Sequence, residues 1–211
     1  MLRLGDYNTL RIVKSVDFGL YLDGGEEGEI LLPQRYVTKD MHIGDEIEVF
    51  IYLDQEERPV ATTEHPIAKV GEFASLEVAW VNQYGAFLKW GLMKDLFCPF
   101  REQKKRMEQG QRHIIYIKVD KDSYRLMATA KVEKYLEPAP AMKHGDPADI
   151  LVWQKTDLGF KCIVNNRYQG QIYETTHYAR RIDDDLILVI EVQLWDKNFS
   201  ESTDFVEAWF A

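Results

Sequence analysis

The chain has 211 residues, 45% of them hydrophobic and 29% charged, and a formal net charge of −9. That is enough chain for one or two ordinary domains, or for several small repeated ones, and it holds no apolar run of the roughly 18 residues that would suggest a membrane span. The first ten residues, MLRLGDYNTL, lack the apolar stretch of a secretion signal, so a cytoplasmic protein without membrane contact is the expectation.

The acidic total conceals an asymmetry. Residues 1–64 carry 6 Lys+Arg against 14 Asp+Glu, residues 65–136 carry 13 against 8, and residues 137–211 carry 7 against 13. Contacts to phosphate need lysine and arginine, so only the middle stretch suits a nucleic acid electrostatically.

Taken in order, the elements repeat. LGDYNTL (4–10) returns as VGEFASL (70–76), and the same offset of 66 carries Gly19 to Gly85, Pro33 to Pro99, Gly44 to Gly110 and Asp54 to Asp120. One extra residue then shifts RPVATT (58–63) onto RLMATA (125–130). A third copy begins at HGDPADILV, where Gly145 and Gly159 keep the spacing of Gly5 to Gly19 and of Gly71 to Gly85. In the second copy, ASLEVAWV, AFLKW, DLFCPF, RHIIYIKVD and SYRLMATA read as five short strands, with REQKKRMEQG as a helical or turn segment before the fourth. A repeated unit of this size predicts an all-β chain of tandem five-stranded Greek-key barrels of the oligonucleotide-binding type, with an SH3-like barrel as the nearest rival. The divisions fall at 1–64, 65–136 and 144–211, joined by TEHPIAK and the proline-bearing LEPAPAMKHGD. The third unit lacks the Gly-Asp turn, offering RRIDDDLILVIEVQLWD instead, and its final FVEAWFA fits no expected strand, so that unit is divergent or incomplete.

The runs VDFGLYLD, GEILLPQ, IGDEIEVFIYLD and RPVATT, repeated as NQYGAFLKWG, KDLFCPF, QGQRHIIYIKVD and RLMATA, resemble the S1 RNA-binding domain. More narrowly, GEFASLEV followed by GAFLKWGLMKDLFCPF is similar to the bacterial conserved virulence factor B group, whose chains string S1 domains together and end in a winged helix. No helix-turn-helix pattern occurs up to Ala211, so the winged helix is not expected here. The resemblance implies single-stranded RNA bound on one face of a barrel, with aromatics stacking on bases, in regulation of gene expression or translation. Carried over by motif, the stacking residues of the second unit are Tyr84, Phe87 and Phe97, bordered by Asp120 and Arg125. The first unit offers Phe18, Tyr21, Asp54 and Arg58, with Leu31 at the third aromatic position and an acidic loop DGGEEGE beside it, and ranks second. In the third unit the positions read Leu158, Lys161 and Tyr173, and no arginine follows Asp196 in the expected place.

Alternation along AFLKW sharpens the second unit independently of the resemblance. Phe87 and Lys89 share one side and Leu88 and Trp90 the other, and an apolar interior assigns the lysine side to the surface. By the same alternation Phe97 faces outward and Leu96 and Cys98 inward, while Tyr84 lies in a turn where parity decides little. Arg101, Lys104, Lys105, Arg106 and Arg112 form either a solvated face or a flank for phosphates. Trp90, Trp153 and Trp195 read as core, and Cys98 and Cys162 as buried thiols without metal-ligand spacing. No cofactor is implied, and the run Asp183 to Asp185 lacks the turn and ligand set of a cation site. No nucleophile, phosphate-loop or zinc-protease motif occurs, and the five histidines are dispersed, so no catalytic residue is nominated and the expectation is a binder rather than an enzyme. Two alternatives stay open: a scaffold whose acidic outer barrels meet a ribosomal or other basic protein surface, and an accessory unit of an RNA-processing nuclease. The oligomeric state is not legible in the sequence.

Overall fold

The structure is a computed structural model that describes residues 2–138, 146–182, 185–195, 201–202 and 206–208, with side chains for 2–138 and 147–173. It divides into two compact units, Met1–Lys131 and Val132–Ala211. The first holds two barrels.

In the first barrel, β1 (Tyr7–Val16), β2 (Gly19–Asp23), β3 (Glu29–Pro33), β4 (Glu46–Leu53) and β5 (Pro59–Thr62) close in the order β1-β2-β3-β5-β4. The ring is completed by β4 pairing back onto β1, and β3 meets β5 in parallel at Leu31 and Val60. In the second, β6 (Phe73–Val81), β7 (Gly85–Lys89), β8 (Leu96–Pro99), β9 (Arg112–Val119) and β10 (Leu126–Thr129) follow the same permuted order, β10-β9-β6-β7-β8. Its two ends meet just past the strands: Ala130 N, after β10, donates to Glu102 O, after β8 (2.9 Å), and the buried Gln103 amide ties that turn back to β8 by donating to Cys98 O (2.9 Å). This is the expected Greek-key barrel, twice. The segment REQKKRMEQG is a single 3-10 turn, Phe100–Glu102, followed by turns that bury Met107.

Core positions repeat at the same offset as the motifs. Ile12, Leu22, Ile30, Leu32 and Ile51 fill the first barrel, and Val78, Leu88, Leu96, Cys98 and Ile117 fill the second. Gly85 is required by close approach: a Cβ there would lie 2.4 Å from Cys98 O on the paired strand. Cys98 and Cys162 are both fully buried, and burial pushes each thiol up to about 12.

What makes two barrels one unit is β4. Its last five residues, VFIYL, are all buried, so the strand has two apolar faces. Val49 and Ile51 point into the first barrel, while Phe50 and Tyr52 join the core cluster of the second. Phe50 meets Trp90 edge-on at 5.8 Å and Tyr7 at 5.3 Å. Trp90 is 2% exposed, and its indole N–H donates to Lys94 O at 2.7 Å. The linker is held too, by Ile67 N donating to Trp90 O (2.8 Å), Val70 N donating to Gly5 O (2.9 Å) and a Lys69–Asp6 ion pair (2.9 Å).

The second unit is organised differently. After a 3-10 turn at Val132–Lys134, Glu137 bridges to Tyr168 and accepts from the Arg167 guanidinium at 2.9 Å. The strands β12 (Ile150–Thr156), β13 (Gly159–Val164), β14 (Tyr168–Ile182), β15 (Asp185–Trp195) and β16 (Glu201–Ser202) pair in simple succession, and β11 (Asp146–Ala148) pairs in parallel with β17 (Val206–Ala208). The order is a meander rather than the permuted order of the barrels. Where the first two copies turn at Gly44 and Gly110, this one has no glycine, and β14 pairs with β15 as far as Ile182 and Asp185. Trp153 is half-buried with the Lys161 ammonium 5.8 Å from its ring. The side chains of Asp183 to Asp185, Trp195 and Asp196, and the end of FVEAWFA, lie outside the described residues.

Two outcomes check this packing. Phe50→Ala should lower the unfolding free energy in urea by about 3–5 kcal/mol, because the ring is fully buried between the barrels; a change near zero contradicts the docking. At about pH 8, iodoacetamide should leave both cysteines of the native protein intact and label both after denaturation, since the thiolate is the reactive form; fast native labelling contradicts the burial.

Candidate nucleic-acid interface

An aromatic row crosses three neighbouring strands of the second barrel. In the β6-β7 ladder Trp80 stands opposite Phe87, and in the β7-β8 ladder Phe87 stands opposite Phe97. Trp80 and Phe87 stack face to face at 3.7 Å and 4°, and Phe87 and Phe97 lie 5.0 Å apart at 38°. Directly opposed cross-strand rings are among the side-chain pairs that stabilise a sheet. Tyr84 sits at the β6-β7 turn and is 66% exposed. Its turn is shaped by the Asn82 side chain, which accepts from Tyr84 N (2.8 Å) and Gly85 N (3.2 Å). A cleft of about 790 Å³ runs along Tyr84, Phe87 and Phe97 and is walled on its far side by Tyr52, Leu53 and Glu57 of the first barrel.

The alternation reading of AFLKW holds: Leu88 and Trp90 are buried, while Phe87 is half-buried and Lys89 exposed. Phe97 is half-buried as well. Both rings face outward but cover one another, so they are less open than an isolated surface aromatic. Trp80 was not legible by alternation. Leu76 and Val78 point inward, and strict alternation would send Trp80 inward with them. A β-bulge between Val78 and Trp80 inserts one residue, reverses the parity and leaves Trp80 43% exposed, with its indole N–H on Asp95 at 3.0 Å. The signal was the repeat: all three copies carry the bulge, at Ile12/Lys14, Val78/Trp80 and Val152/Gln154.

The charged groups are paired. Lys89 donates to Glu77 at 2.6 Å, holding that carboxyl below its usual value. Asp120 and Arg125 border the cleft but do not pair with each other. Asp120 accepts from Ser123 Oγ at 2.7 Å and lies 3.5 Å from Arg101, and together they keep its carboxyl below the usual range. Arg125 instead lies 3.6 Å from Glu57 of the first barrel, which also accepts from Lys94 at 3.1 Å. In the first barrel the matching pair does form: Arg58 donates twice to Asp54, at 2.9 and 2.7 Å. Burial works to raise Asp54, yet the backbone N–H and guanidinium of Arg58 hold it low. The difference is one residue of spacing, Asp54 to Arg58 against Asp120 to Arg125. Within the basic run, Arg106 lies on the Phe100 ring at 3.4 Å and Arg112 donates to Ser75 O at 2.8 Å.

The other two copies show what the same backbone becomes with different side chains. In the first barrel the row reads Lys14, Tyr21 and Leu31: the Lys14 ammonium is 5.2 Å from the Tyr21 ring, and Phe18, 57% exposed, meets Tyr21 edge-on at 6.2 Å. In the third copy Lys161 stands opposite Gln171, not Tyr173, because Tyr173 pairs with Gly159. Its row is Gln154, Lys161 and the buried Gln171, with Leu158 exposed at the turn and no ring at the three positions. Among the described residues no three His, Cys, Asp or Glu side chains gather as metal ligands, and no helix is long and apolar enough to cross a membrane.

The comparisons with known proteins agree with this geometry. A family model of the S1 domain matches residues 4–64. An uncharacterized protein of Bacillus subtilis (strain 168), YitL, is 43% identical over 95 residues, which is 44% of this chain and 32% of the relative, so the chain spans about a third of that protein's length. A solved structure from Streptococcus pneumoniae TIGR4, described as a multidomain protein with nucleic acid binding domains, shares the fold with a TM-score of 0.55 at 16% identity, over 97% of this chain and 73% of that one. The matched residues 4–64 enclose the closed ring of β1 to β5, and the second barrel repeats its strand order, so the chain carries an S1 domain in its first barrel and is similar over part of its length to YitL.

Proposed function

We propose that this protein binds single-stranded RNA on the second barrel by stacking bases along Trp80, Phe87 and Phe97, with Tyr84 at the edge of the row. The observation that carries this reading is the row itself: three outward rings on adjacent strands, two of which, Phe87 and Phe97, line a cleft. Every base has a π-face, so such a platform accepts many sequences. The nucleic acid binding domains of the S. pneumoniae protein and the S1 match lend it support. Lys89, Arg101 and Arg125 are held by carboxylates and contribute less than their number suggests. The first barrel, with Phe18, Tyr21 and Lys14, is a weaker second contact.

Binding without turnover is part of the proposal, in a cytoplasmic bacterial setting and in control of gene expression or translation. The cleft is lined by no histidine or cysteine, and of its four carboxylates Asp95, Asp120 and Glu57 are engaged by Trp80, Ser123 and Lys94 respectively, Asp122 being the fourth. Single-stranded and structured RNA incubated with magnesium or manganese should both stay intact. Cleavage that disappears in Asp120→Asn would overturn this.

Titration of labelled oligo-U and oligo-A at about 50 mM and about 200 mM salt tests the site. Trp80→Ala and the pair Phe87→Ala with Phe97→Ala should each cost about 1–3 kcal/mol of binding per ring lost, and Phe18→Ala with Tyr21→Ala much less. The Phe87 and Phe97 changes should each lower stability by less than the roughly 3–5 kcal/mol of a core phenylalanine, since both rings are only half-buried. No detectable binding at the lower salt, or equal losses from both barrels, refutes the assignment.

A further inference from the structure

Glu57 belongs to the first barrel, yet its carboxylate lies at the border of the second barrel's cleft. It sits in the hairpin between β4 and β5, where Asp54 N donates to Arg58 O (2.9 Å) and Glu57 N to Asp54 O (3.1 Å). Its φ of 62° places it in the left-handed region, which a glycine or asparagine would occupy at less strain. One oxygen accepts from Lys94 at 3.1 Å and the other lies 3.6 Å from Arg125. Lys94 is further fixed by donating to Asp54 O at 2.6 Å. Two cations that flank the aromatic row thus converge on a single anion, in the arrangement they would adopt around a phosphate oxygen pair.

We infer that Glu57 is a specificity determinant of the cleft: an intramolecular carboxylate that competes with the phosphates of a bound strand for Lys94 and Arg125. While it is in place the site reads rings more than backbone, and a strand gains those two phosphate contacts only by displacing it. The first barrel thereby tunes what the second one binds. This rests on the stacking proposal for the same cleft, and goes beyond it in assigning a role to an acidic residue that opposes binding. The docking of β4 on Trp90 is what brings the hairpin within reach.

The test is oligo-U titration of the full chain across a salt series, with Glu57→Gln, Arg125→Gln and their combination. Glu57→Gln should tighten binding about tenfold at ~50 mM salt and steepen the dependence of log K on log salt by about 0.7 for each cation released, so about 1.4 for both. Arg125→Gln alone should weaken binding less than about twofold, because its charge is already compensated, but should cost several times more in the Glu57→Gln background. If the wild type binds and Glu57→Gln leaves affinity and slope unchanged or weakened, with the thermal midpoint retained, the inference is wrong and the stacking site stands. If neither protein binds, both are wrong. If only Glu57→Gln binds, the competition by Glu57 stands and the proposal that the wild-type cleft binds RNA fails. Should Glu57→Gln not fold, Arg125→Gln decides alone: a loss greater than about tenfold would show an uncompensated arginine and overturn the inference.

Discussion

Everything near the candidate site depends on one strand having two apolar faces. A strand at the surface of a small barrel normally alternates inward apolar with outward polar residues. The end of β4 does not: Val49 and Ile51 serve the first barrel, and Phe50 and Tyr52 serve the contact with the second. Trp90 closes that contact from the other side. The cleft therefore has a rigid far wall, made by Tyr52 and Leu53, and the β4-β5 hairpin is carried to its rim. Without this packing the aromatic row would be an open patch on an isolated barrel.

The two barrels show a duplicated backbone with different side chains on its outward row. Strand order, bulge and core positions coincide, and the outward row at the bulge differs in chemistry: Lys14, Tyr21 and Leu31 in one, Trp80, Phe87 and Phe97 in the other. The bulge matters because it turns a position that alternation would bury into an outward one beside the next strand. Charge follows the same division. Residues 1–64 carry a strong acidic excess, and Glu57 brings part of it to the border of the more basic barrel.

Much of the fold was legible in the sequence, because glycines and apolar residues recur at a fixed offset and each names a turn or an inward position. Phe87 and Lys89 were placed outward by simple alternation with Leu88 and Trp90. Four features escaped for physical reasons. Trp80 lies beyond a bulge, where alternation gives the wrong side. Asp120 and Arg125 are one residue farther apart than Asp54 and Arg58, and that residue redirects the arginine to Glu57. Glu57 itself gave no signal, since it acts across a contact between barrels. In the third copy the loss of the Gly-Asp turn was visible, but not its result, a meander whose register sets Gln171 rather than Tyr173 opposite Lys161. The continuous run VFIYL was the one cue to the joined barrels, since a strand apolar at every position is a strand buried on both faces.

The central claim is that a bound strand lies on the outer face of β6, β7 and β8. Photo-crosslinking of a thio-uridine oligonucleotide to the full chain, followed by peptide mapping, addresses it directly. Crosslinks should concentrate on the peptides that contain Trp80, Tyr84, Phe87 and Phe97. Crosslinks confined to the first barrel around Phe18 and Tyr21, or to residues 146–211, would contradict it.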